Sequence, residues 1–401
     1  MRFELDKSGI EVKKVFFIIL SVLFLSQFTF ATDNADYRLV WQDTFEGSQL
    51  DEANNWQIEV NGDGGGNNEL QYYRRENISV GEEPVSGENC LIITAKKESY
   101  NGKTCTSGRL ISYGKMSFQY GKIEARIKLP KTANGLWPAF WMMGADYFQP
   151  GIGWPKCGEI DILEVGNVNG INRGTQDRYF SGWFHWGEAW TPQGYPNWGM
   201  DKTADYSIQD DFHLFTLIWN PDKLAMYLDL DRYPDTAPYV EMNINVSGGT
   251  GPGQVGRYFH KPFYVVFNLA IGGNFPQIWD INKITALNAS NNYEAKMYVD
   301  YVKVYQKGDE GEQYDGPSLT GIKMPVKQSV FRTYFNQMTG CVEIEGDETP
   351  EKVILYNLSG EKIREVSGIN LIDVLCFSKG VYILKIQAQS GKEEVHKLVK
   401  Q

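Results

Sequence analysis

The chain has 401 residues, room for two domains, and its 22 % charged and 42 % hydrophobic residues describe a packed globular protein rather than a disordered one. Lys and Arg number 39 against 50 Asp and Glu, a formal net charge of −11, which argues against a nucleic-acid partner because phosphate backbones select basic surfaces. Aromatic residues reach 14 % and Gly numbers 41, a pairing that suggests strands joined by tight turns and a surplus of Trp suited to stacking on sugar rings.

Lys13 and Lys14 precede an apolar run over 15–30, short for a membrane span of roughly 20 residues. Thr29-Phe30-Ala31 supplies small residues at cleavage positions, so residues 1–31 read as a signal peptide removed on export. No Cys stands there, which argues against a lipid anchor. Residues 122–129 alternate: Ile123, Ala125, Ile127 and Leu129 on one side, Lys122, Glu124, Arg126 and Lys128 on the other. That period of two predicts a half-buried strand. Asn220-Pro221-Asp222-Lys223 separates two apolar runs and predicts a hairpin. Residues 261–271 and 298–305 predict further strands, and no long amphipathic helix is legible. The pattern implies an all-β, antiparallel sandwich or barrel.

Residues 307–320 are acidic, carry Gly and lack aliphatics until their end, so they read as a linker. Beyond it, 321–401 predicts a small all-β domain with strands near 352–358, 380–386 and 394–399. The five cysteines, Cys90, Cys105, Cys157, Cys341 and Cys376, are odd in number and show no CxxC spacing. They form neither a disulfide framework nor a zinc site, so the fold rests on its hydrophobic core.

The chemistry concentrates in Glu159-Ile-Asp161-Ile-Leu-Glu164. On a regular strand Glu159 and Asp161 face one way and Glu164 the other. One extra residue at about Ile162-Leu163, a β-bulge, would return Glu164 to the common face. Carboxylates gathered on one face repel, which raises at least one pKa and suits a general acid. Glycoside hydrolysis needs that division between an ionised and a protonated carboxyl. Taken alone, the three residues also fit a solvated strand face or a calcium site.

The flanking segments decide between these. Gly153-Trp154-Pro155-Lys156-Cys157-Gly158 leads into the acidic run, and further pieces follow in order: Val40-Trp41-Gln42-Asp43-Thr44-Phe45, Asn67-Asn68-Glu69-Leu70-Gln71-Tyr72-Tyr73, Ser107-Gly108-Arg109, Gly135-Leu136-Trp137-Pro138-Ala139-Phe140-Trp141, Asn268-Leu269-Ala270-Ile271-Gly272-Gly273-Asn274 and Val299-Asp300-Tyr301. With these the chain resembles glycoside hydrolase family 16, particularly its laminarinase-like β-glucanases, over about 36–306. The resemblance implies a concanavalin-like β-jelly-roll sandwich within a catalytic domain of 32–306. It implies a retaining mechanism with Glu159 as nucleophile, Glu164 as acid/base and Asp161 between them tuning their charges. It implies sugar platforms at Trp137, Trp141 and Trp154, and polar cleft positions at Asn68, Arg109 and His185. No cofactor is expected for catalysis.

Three departures stand out. Thr44 replaces a Glu that in many members helps bind a structural calcium, with an oxygen near Asn89 and the Asp matching Asp300, so a calcium there is expected to be weak or absent. Phe275 replaces a Trp common after Gly-Gly-Asn, thinning one sugar contact. Residues 167–198 look unlike the family's short loop and are expected to reshape one end of the cleft. The tail, with Val353-Ile-Leu-Tyr-Asn-Leu-Ser-Gly360 and Lys379-Gly380-Val381-Tyr382, resembles the C-terminal sorting domain of the type IX secretion system, making 321–401 a small secretion/sorting β-sandwich. The expected protein is a monomer at or beyond the surface of a Gram-negative cell. It would hydrolyse internal β-1,3 or mixed-linkage β-1,3/1,4 bonds of a β-glucan, with the secretion machinery as its other partner. A non-catalytic glucan-binding protein and a relative acting on agar- or carrageenan-type galactans are the alternatives.

Overall fold

The structure, a computed structural model, describes residues 37–245, 251, 253–318, 331–336, 341–346, 349–357, 360–375, 377–378, 380–389 and 393–400. The signal-peptide expectation and Cys376 lie outside the described residues. The chain forms two compact units, 1–319 and 320–401.

The first unit is a sandwich of two large sheets. One is ordered Val240–Asn243, Lys223–Leu228, His213–Trp219, Gly121–Lys128, Glu294–Gln306, Asn89–Lys96, with smaller strands beyond. The other runs Asn197–Thr203, Tyr179–His185, Glu159–Val165, Leu136–Gly144, Phe263–Ile271, Arg109–Ile111, Gln57–Ile58. The expected hairpin is present: Phe215 pairs with Leu228 and Trp219 with Leu224 across the 220–223 turn. Inner faces meet in one core that includes Trp41, Trp56, Phe140, Phe215 and Phe267.

The expected half-buried strand differs in one respect. Ile123, Ala125 and Ile127 are buried in the core as the alternation requires, but Lys122 and Glu124 on the other face are buried too. They pair with each other at 2.9 Å, Tyr305 Oη donates to Glu124 at 2.8 Å, and the Lys122 ammonium sits 4.2 Å from the centre of the Tyr305 ring. A charged pair closed on itself and under an aromatic lid tolerates burial that lone charges would not.

The 307–320 linker is also more than a tether. Gln313–Asp315 adds a strand to Ser117–Gln119, and Gln306 Nε2 donates to the Gln313 carbonyl at 2.9 Å. Within the second unit, strands form a three-stranded and a four-stranded sheet around a core of Val342, Val353, Leu355, Leu384 and Ile386.

Strand alternation in the second large sheet positions the site. In Leu136–Gly144, Phe140 and Met142 enter the core while Trp137, Ala139, Trp141 and Met143 face outward. In Phe263–Ile271, Phe267 and Leu269 go inward while Tyr264 and Asn268 go outward. The outward face floors a cleft of about 910 Å³.

Candidate active site

One surplus residue aligns the acids. Met143 pairs with Glu159, Met142 with Ile160 and Trp141 with Asp161; the ladder then jumps to Phe140 with Leu163 and Ala139 with Glu164. Ile162 is left over. The strand on the other side slips at the same place, from Asp161–Trp183 to Glu164–Ser181. Ile162 and Leu163 therefore both turn into the core, fully buried, and Glu164 rejoins Glu159 and Asp161 in the cleft. This is the bulge that strand parity predicts. The buried Tyr239 hydroxyl donates to the Ile162 carbonyl and fixes the kink. The strand ends at Gly166, with φ of 105°, where an added Cβ would lie 2.0 Å from the Leu136 carbonyl oxygen.

The cleft is a poor solvent for charge. Burial, with Asp161 beside it, pushes the Glu159 carboxyl up to about 8, while His185, Arg109 and a hydrogen bond from Trp154 pull the other way. Burial pushes Asp161 well above the carboxylate range. Burial also lifts Glu164 well above that range, reinforced by Asp161 and Glu159 and opposed by His185 and Trp137. Only one of three crowded carboxyls ionises readily in such a place. Glu159 has cationic Arg109 acting on it as well as His185, and both offset part of the burial penalty on its charged form.

The surroundings fix these groups. His185 Nε2 lies 3.1 Å from Asp161 Oδ2 and 4.0 Å from Glu159 Oε1. Trp137 Nε1 donates to Glu164 Oε1 at 3.0 Å, and Trp141 Nε1 donates to Asn268 Oδ1 at 2.7 Å. Asn268 Nδ2 donates to the Tyr73 hydroxyl at 3.3 Å, which donates in turn to Glu69 at 3.0 Å. A buried chain of polar groups thus runs from the cleft floor to its wall.

The structure brings together Glu159, Asp161, Glu164, Arg109, Trp137, Trp141, Trp154 and His185 around one cleft. Trp137 and Trp141 are only 8 % and 9 % exposed, so they serve as floor and hydrogen-bond donors more than as open platforms. Arg109 is ion-paired to Glu59 at 2.8 Å and lies 4.9 Å from the centre of the Trp141 ring. Asn68 does not line the cleft: it is exposed and its amide donates to Asn274 Oδ1 at 3.1 Å, while its neighbours Asn67 and Glu69 do line it.

Residues 167–198 are not one loop but carry ordered elements joined by turns. They supply a short helix, Val168–Arg173, and the strand Tyr179–His185, and their last residues begin Asn197–Thr203. Tyr195, between the two strands, packs its ring 4.6 Å from Trp154 and 5.5 Å from His185, narrowing the Glu159 end. Sequence reasoning missed Tyr195, Glu69 and Asn268. Asn268 had a signal, a polar residue within an apolar strand run; Tyr195 had none.

Thr44, Asn89 and Asp300 do not fit a calcium ion. Asp300 accepts from Arg126 at 2.6 Å, so a guanidinium already neutralises it. Asn89 Nδ2 donates to the carbonyls of Phe45 and Gly47, the latter at 3.0 Å, which occupies oxygens a cation would need. Thr44 offers only neutral oxygens. Among the described residues, the donors grouped closely enough to hold a metal are Glu159, Asp161 and His185, within 4.8 Å of one another, and two of these belong to the acidic trio.

Residues 72–242 match the model of the glycosyl hydrolases family 16, and 333–401 match the secretion system C-terminal sorting domain. A beta-glucanase from Rhodothermus marinus is 33 % identical over 67 % of this chain and 85 % of its own length. The clotting factor G alpha subunit of Tachypleus tridentatus is 34 % identical over 71 % of this chain, which spans 36 % of that protein. Among solved structures, a mixed linkage glucan family 16 protein of Bacteroides ovatus, in complex with a product, is 37 % identical with a TM-score of 0.55, covering 66 % of this chain and 99 % of its own. The chain belongs to glycosyl hydrolase family 16, and its tail is a secretion sorting domain whose partner is the secretion machinery.

Proposed function

We propose that this member of glycosyl hydrolase family 16 is an exported endo-β-glucanase that cleaves internal β-1,3 bonds, or the β-1,4 bonds beside them in mixed-linkage glucan, with retention at the anomeric carbon. The observation that carries the reading is the bulge at Ile162, which sets Glu159, Asp161 and Glu164 on one cleft face. Ionised Glu159 attacks the anomeric carbon as Glu164 gives its proton to the departing glycosidic oxygen. A glycosyl ester on Glu159 results. Glu164, now a carboxylate, takes a proton from water, whose oxygen displaces Glu159 and restores both groups. Asp161, held by His185, lies beside both and raises the pKa of each.

Charge supports a neutral substrate. Glu59, Asp63, Glu69 and Asp201 join the three acids in lining the cleft, against His185, which sits on Asp161, and Arg109, which Glu59 already pairs. A sulfated galactan would meet carboxylates with no unpaired Arg or Lys in the lining to receive its sulfates. The sorting tail supports release to or beyond the cell surface.

Chromatography of products from laminarin, mixed-linkage glucan and carrageenan tests the substrate, and proton NMR of the first-formed anomer tests the stereochemistry. Mixed-length oligosaccharides from a glucan and the β-anomer first are expected. No release from either glucan, or an α-anomer first, rejects the reading.

A further inference from the structure

We propose that Trp279 is an outlying sugar platform that lengthens the cleft past its Asn274 end; this rests on the β-glucan reading above. Trp279 is 56 % exposed, a large apolar ring left open to solvent. It is nevertheless held. Its Nε1 donates to Asn274 Oδ1 at 3.3 Å, and the same oxygen accepts from Asn68 Nδ2 at 3.1 Å. Asn274 lines the cleft, so a single residue joins the indole to the cleft wall.

The backbone beneath is braced from both sides. Gly273 N donates to the Ile278 carbonyl at 2.8 Å and Ile278 N returns a bond to the Gly273 carbonyl at 3.3 Å, closing a tight loop that ends next to Trp279 in the chain. Asn274 N donates to the Asn67 carbonyl at 2.8 Å, clasping this loop to the one that carries Asn68. Among the described residues no aromatic ring stacks on Trp279. Its neighbour Phe275 instead stacks on Trp137, with ring centres 4.6 Å apart and planes at 15°. Phe275 thus packs the cleft floor, and the open aromatic face at this end belongs to Trp279. A pyranose ring presents a flat C–H face that an indole covers well. Trp279 itself lies outside the cleft lining, one hydrogen bond beyond Asn274, where a glucan chain leaving the cleft over Asn274 would meet it. Asn68 acts here as a positioning residue, through Asn274, rather than as a sugar contact.

The test uses the full chain with Glu159→Gln, which binds without turnover, titrated calorimetrically with a β-1,3-linked trisaccharide and heptasaccharide. Trp279→Ala should weaken heptasaccharide binding by roughly two- to tenfold. The trisaccharide should change far less, and Trp279→Phe should recover most of the loss. Equal losses at both lengths, or none at the longer, overturn the platform while the parent's binding leaves the β-glucan reading standing. A parent that binds neither sugar removes that reading and the platform with it. A change of oligomeric state on Trp279→Ala with unchanged heptasaccharide affinity assigns the ring to self-association and also overturns it.

Discussion

Glu164→Gln separates acid catalysis from everything else the residue does. Burial and the neighbouring carboxyls push the Glu164 carboxyl well above the usual carboxylate range, and below its raised pKa the amide leaves the charge of the cluster unchanged. The amide oxygen can still accept from Trp137 Nε1, a bond of 3.0 Å in the wild type. The melting temperature should therefore move by no more than about 2 °C, a shift below 1 kcal/mol. Catalysis should not survive as well. Without a proton for the departing oxygen, kcat/KM on laminarin should fall by about 10²–10⁴, equivalent to roughly 3–5 kcal/mol of transition-state stabilisation. A dinitrophenyl glycoside leaves without that proton, so its first step should be nearly unaffected. The second step lacks its base, so an ester on Glu159 should accumulate and be visible by mass spectrometry. Equal losses on both substrates, or near-normal turnover of laminarin, would refute the assignment of Glu164.

Two further outcomes follow from the same structure. Glu159 is raised to about 8, so its charge costs stability progressively as pH climbs from the ordinary carboxylate range, near 4.5, through about 8. Glu159→Gln should accordingly melt several degrees above wild type at pH 9 and close to it at pH 4; calorimetry showing the same offset at both pH values contradicts the burial argument. Calcium and chelator should leave the melting temperature within about 1 °C of one another, because Arg126 already pairs Asp300 and the Asn89 amide already donates to the nearby carbonyls. A stabilisation that saturates with calcium would reverse that conclusion.

Much of this was legible in residue order because strands obey a strict parity. Glu159, Asp161 and Glu164 can share a face only if one residue is surplus, and Ile162 is that residue. The 220–223 turn and the alternation of 122–129 were local in the same sense. The burial of Lys122 and Glu124 was not, since it depends on Tyr305 from a strand far along the chain. Nor was Trp137's bond to Glu164, because the two meet only when their strands pair.

Sequence by itself determined the fold class, the acidic trio and the kink between its members, since pleat and side-chain chemistry need only near neighbours. Tertiary structure alone decided how strongly burial acts on the three carboxyls, where Asn68 and Tyr195 stand, and that Asp300 belongs to Arg126. Dielectric surroundings and pairing across the sheets come from segments distant in the chain, and no local pattern encodes them.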